Sequence, residues 1–164
     1  MSKAEYVILR AQGVLYKAGM WDRDASEVTT EIRGRTRGLG CVSVGEAVDI
    51  DPDDRDVRYL LSQFGGDIDR REGEDFELLA DNPDFMGAVY RNMIVDKWGA
   101  DPKHTVVIEA NVAGAIGAKD INCGDVVVLL DSQQSSDGFP KGITVIRNGL
   151  MSGVYDFLMK NVRA

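Results

Sequence analysis

Histidine occurs once in this chain of 164 residues, at position 104, and cysteine twice, at 41 and 123. A structural zinc site normally takes four nitrogen or sulfur ligands, so three scattered candidates exclude the usual zinc-stapled folds. The cysteines have no C-x-x-C spacing and are expected as buried free thiols of a reducing compartment. Long apolar runs are also missing. The stretch 126–130 is among the longest and is far too short to span a bilayer, so no membrane is expected among the partners. Residues 1–10 include Lys3, Glu5 and Arg10 and contain no apolar h-region, so no secretory leader is expected. The expected location is the cytoplasm, or a virion if the chain is an assembly protein. No repeat, low-complexity tract or Pro/Gly/Ser-rich linker divides the sequence, which reads as one domain, 1–164.

Signatures of chemistry are equally sparse. There is no G-x-S-x-G elbow, and Ser132, Ser135 and Ser136 sit among ordinary polar loop residues. Asp49-Ile50-Asp51-Pro52-Asp53 has the look of a calcium loop. Asp54 and Leu60 stand where such a loop needs glycine and glutamate, and Pro52 reads better as the first residue of a helix. Gly114-Ala115-Ile116-Gly117-Ala118-Lys119 follows an apolar run as phosphate loops do, but lacks their spacing, and is expected to form a turn. No cofactor is expected.

What is present is charge, unevenly placed. The net charge is −8, and residues 47–84 alone hold thirteen acidic groups against four basic ones. That sign repels phosphate backbones, so a nucleic-acid partner is not expected. Within the acidic stretch, Asp67 and Asp69 are the candidate magnesium ligands, because a hard cation takes carboxylate oxygens. Arg33, Arg35 and Arg37 stand in a glycine-punctuated run, 33–40. On extended backbone they would share one face and grip a phosphate or carboxylate, or else pair with acids of the same chain.

Helix signals are strongest after Asp51-Pro52 and after Asn82-Pro83, where apolar residues recur at helical spacing. Ser2-x-x-Glu5 fits a capping box opening a first helix, although Tyr6-Val7-Ile8-Leu9 could equally open a strand. A closing helix is expected from Val154, Tyr155, Phe157, Leu158 and Val162. The β-branched run 28–32, and the short apolar runs 41–44, 105–108, 126–130 and 143–146, predict strands. Together these predict an α+β fold, a small mostly antiparallel sheet or half-barrel packed against about four helices. Ser135-Ser136-Asp137-Gly138-Phe139, followed by 142–148, resembles a short piece of the β-helical end of ADP-glucose pyrophosphorylases. A β-helix needs stacked repeats that this chain lacks, so the resemblance implies no activity.

With no catalytic constellation, the function expected is a non-catalytic structural or assembly subunit, of phage or shell type, acting as a homo-oligomer or with a protein partner. Trp21 and Trp98 are its candidate interface anchors. The alternative is a small-molecule enzyme or sensor that binds an anionic ligand through the 33–37 loop, with a carboxylate or magnesium assisting.

Overall fold

The computed structural model describes residues 5–11, 13–17, 20–44, 66–67, 72–73, 76–79 and 86–161. The strands are β1 (Tyr6–Arg10), β2 (Tyr16–Lys17), β3 (Met20–Trp21), β4 (Gly38–Val44), β5 (Gly66–Asp67), β6 (Glu72–Gly73), β7 (Phe76–Leu79), β8 (Thr105–Glu109), β9 (Asp125–Leu129) and β10 (Thr144–Ile146). The helices are α1 (Ala25–Arg33), α2 (Met86–Arg91), α3 (Val112–Asp120) and α4 (Met151–Asn161). The main sheet runs β10-β9-β8-β1-β4-β7-β6-β5, and β2 and β3 form a separate hairpin. Every pairing from β10 to β7 is parallel, and only β6 and β5 turn antiparallel at one edge.

This corrects the α+β expectation: the architecture is α/β, with a Rossmann-like parallel sheet. The physical reason lies in the central strands, which are covered on both faces. All five residues of β8 are buried, and Val7, Ile8 and Leu9 of β1 are fully so. Such strands read as continuous apolar runs rather than alternating ones, because neither face meets water. Side chains still alternate between faces. Val7, Leu9, Val106 and Ile108 pack with Val28 and Ile32 of α1 and Val154 and Leu158 of α4. Ile8, Val107 and Val128 pack with Tyr90 of α2 and Ala115 and Ala118 of α3. The result is a sheet between two helical layers, the arrangement that parallel crossovers require.

Three local expectations are also corrected. The first helix expected from Ser2-x-x-Glu5 is strand β1, and residues 1–4 lie outside the described residues. The run 28–32 is helical, not a strand. Ala25, Val28, Thr29 and Ile32 fall at helical spacing and are buried, so tertiary packing overrides β-branched propensity. The 114–119 stretch is helix α3, not a turn. Asn111 caps it, its side chain accepting the Gly114 N–H at 3.2 Å. Its glycines serve close packing, since a Cβ on Gly117 would strike the backbone of Gly87 in α2. The helix expected after Asp51-Pro52 lies outside the described residues. The one expected after Asn82-Pro83 is present as α2, continued by a π-helical turn, Asn92–Lys97.

Candidate functional site

In a parallel open sheet every strand end of one kind lies on one edge, so chain direction alone sorts the charged residues. Ligands of such sheets sit outside the carboxyl ends, where the strand order reverses. Here β1 leads outward to β4 and β7, and the chain then returns to β8 on the other side of β1. The reversal falls between β1 and β8.

Two charged residues of opposite sign end those two strands. The register pairs Leu9 with Ile108, so Arg10 and Glu109 follow side by side, both on the sheet face covered by α2 and α3. Arg10 is 6% exposed and Glu109 fully buried. The Arg10 Nη1 lies 3.4 Å from Glu109 Oε1 and 3.3 Å from Oε2. Both contacts run from one nitrogen and are longer than a tight charge-assisted bond, so this is not a two-pronged fork–fork pair. The Tyr90 hydroxyl donates to Glu109 Oε2. The backbone N–H groups of Ala110 and Asn111 donate to Oε1 at 2.9 and 3.1 Å. Those amides lead into the amino end of α3, where the helix dipole favours negative charge. A Cβ at position 114 would overlap the carboxylate, so Gly114 is the space that admits it. Gly13, at φ +86°, brings the loop after β1 against Ala110, whose Cβ a side chain there would strike.

Electrostatically the cluster favours a protonated Tyr90. Burial first, and then the Glu109 charge and the hydrogen bond to it, hold the phenol well above its ordinary range. Glu109 receives the Arg10 ion pair, the tyrosine hydroxyl and two amides. Its oxygens are engaged, which leaves it poorly placed as a nucleophile or base. The arrangement can hold negative charge in a buried place.

The arginine run lies at the opposite edge. Arg33 ends α1, exposed, and residues 34–37 lead into the start of β4. Arg35 pairs with Glu31 at 3.8 Å and Arg37 with Glu5 at 3.9 Å. The ring Nδ1 of His104 lies 3.8 Å from the same Glu5 oxygen. The structure therefore brings Arg37, Glu5 and His104 together at the amino edge, a combination the sequence did not suggest. Asp67 lies on β5, paired in register with Glu72, and Asp69 lies outside the described residues. Among the described residues no group of three or more His, Cys, Asp or Glu could hold a metal ion. Trp98 is half-buried, its ring stacked on Tyr6 at 5.3 Å, and Trp21 belongs to the β2–β3 hairpin. Both cysteines are free and buried, as expected, and burial pushes the Cys123 thiol up to about 12. A groove of about 240 Å³ between α1 and α4 is lined by Asp24, Glu27, Glu31 and Asp156, whose charge disfavours an anion. No helix among the described residues is long and apolar enough to cross a membrane.

Arg10, Tyr90, Glu109 and Asn111 were missed from the sequence. A signal existed, in that two apolar runs each end in a charge and the charges are opposite. Without the parallel register there was no reason to place them together.

No protein-family model matches the chain, and no curated protein matches it. Solved structures do. An uncharacterized protein from Listeria monocytogenes serotype 4b is similar at 14% identity and a TM-score of 0.61, covering 94% of this chain and 97% of its own. The D,D-heptose 1,7-bisphosphate phosphatase from Burkholderia thailandensis is similar at 15% identity and a TM-score of 0.55, covering 94% and 98%. At such identities the likeness is one of fold. It corrects the structural-assembly reading, which finds no support here: what the chain shares with these neighbours is an α/β fold on a parallel sheet.

Proposed function

We propose that this chain is a small-molecule domain that receives an anionic ligand, a phosphate ester or carboxylate, at the carboxyl edge of its sheet between β1 and β8. The observation that carries the reading is Arg10, a buried guanidinium at the end of the first strand and at the point of strand reversal. A phosphate or carboxylate would share that guanidinium, competing with a Glu109 pair that one nitrogen makes at 3.3 to 3.4 Å. Tyr90 and the Ala110 and Asn111 amides fix Glu109, and through it the arginine. A neighbour in fold whose name is that of a sugar-bisphosphate phosphatase supports phosphate esters as the first class to try. Because the oxygens of Glu109 are engaged, the described residues favour capture of the anion, as in a sensor, over attack on it.

The test is thermal melting with inorganic phosphate, phosphate monoesters and dicarboxylates, against sodium chloride at equal ionic strength. A ligand at a hundred times its Kd raises stability by about 2.7 kcal/mol, which a melt resolves easily. Removing Arg10 alone would strand a buried carboxylate. The informative variant is therefore Arg10→Gln combined with Glu109→Gln, in which stabilisation should vanish. Stabilisation that survives there and disappears on Arg35→Ala would instead place the ligand on the 33–37 loop. No stabilisation of the wild type by any of these anions would sink the proposal.

A further inference from the structure

Glu109 has an unusual set of partners for a side chain of the interior. It is a carboxyl group with no exposed surface, and donors converge on it from three separate elements: Arg10 from β1, Tyr90 from α2, and the amides that lead into α3. Oε1 takes both amides, and Oε2 takes the phenol. Gly114 clears the room that the carboxylate fills. Such convergence is what a protein builds around a bound carboxylate, yet here the carboxylate is covalently part of the chain.

We infer that Glu109 is an intramolecular ligand, its carboxylate filling an anion cradle made by Arg10, Tyr90 and the Ala110 and Asn111 amides, and that this cradle accepts a free small carboxylate once the side chain is shortened. Glu109→Ala removes the terminal methylene and carboxylate, the same atoms that acetate carries. The donors stay in place, because Tyr90 is anchored in its helix and the amides belong to the backbone. In the wild type the cradle is closed by its own side chain, so an external anion reaches Arg10 only in competition with Glu109. This deepens the reading of the carboxyl edge as the ligand edge. Its test works on the emptied cradle, so its failure is distinct from a failure of wild-type phosphate binding.

The experiment measures melting of full-length Glu109→Ala and wild type in sodium acetate and sodium chloride of equal ionic strength. Acetate should raise the melting temperature of Glu109→Ala by several degrees over chloride and move the wild type, where Glu109 competes for the same donors, far less. In Glu109→Ala combined with Tyr90→Phe, acetate should bind at least about tenfold more weakly, as expected on losing one hydrogen bond to a charged group. If Glu109→Ala does not fold in buffer, refolding yield is compared in the same two salts, and a gain confined to acetate carries the same meaning. Equal responses to acetate and chloride, or equal responses of variant and wild type, overturn the inference.

Discussion

Tyr90 is the residue on which the electrostatics of the site can be read most simply. Its hydroxyl donates to a buried carboxylate, and Tyr90→Phe removes the donor while leaving the ring. The expected cost is about 1.5 to 3 kcal/mol, the range for a hydrogen bond to a charged group. The cost should depend on pH in a definite direction. The phenol is held above its ordinary range in the folded chain, whereas in the unfolded chain it ionises near about pH 10. Folding therefore binds this proton more tightly. The contribution is complete below about pH 10 and is lost as pH climbs beyond it. Urea midpoints of wild type and Tyr90→Phe should keep their full separation at pH 8, show little change at pH 9.5, and draw measurably closer by pH 10.5. A gap that stays constant to pH 10.5 would mean that the tyrosine proton is not held by Glu109. The two raised thiols act in the same sense in both proteins and cancel from the comparison. None of this was legible in the sequence. Tyr90 looked like one more apolar helix residue, and only the burial of Glu109 gives its hydroxyl a task.

At the scale of elements, the sequence was legible where a run had one reading and illegible where two periods competed. Strands β4, β8, β9 and β10, helix α4 and the helical stretch from Met86 stand where apolar pattern and turn residues place them. Strand β1 was ambiguous because Ser2 and Glu5 imitate a capping box. Helix α1 was misread because Val28, Thr29, Thr30 and Ile32 carry strand propensity. What decides it is the layer above the sheet, where Ala25, Val28 and Ile32 fill the space against β1, β4 and α4. Thr30 lies on the exposed side of this helix, its hydroxyl donating back to the Ser26 carbonyl at 2.8 Å. Thr30→Ala should therefore stabilise the protein by about 0.5 kcal/mol, the helix-propensity difference. On a strand the same change would destabilise it. A chemical denaturation curve separates the two signs. Helix α3 was misread for the opposite reason. Gly114 and Gly117 are poor helix formers, tolerated because one makes room for a carboxylate and the other for a neighbouring helix.

For the whole molecule, direction of the strands matters more than their number. An antiparallel sheet would have scattered strand ends over both edges. The parallel one gathers Arg10, Glu109 and the amino end of α3 on one edge and the arginine run on the other. The acidic excess that dominates the composition falls largely in 47–84, whereas Arg10, Tyr90 and Glu109 are residues the charge pattern did not single out. The most direct test is a titration of the isotope-labelled wild type with inorganic phosphate and then a phosphate monoester, following backbone amide resonances. The largest shifts should fall on Ala11, Ala110 and Asn111, with Glu5 and 33–37 unmoved. Shifts confined to Glu5 and 33–37, or no saturable shift at any amide, would contradict a ligand edge between β1 and β8.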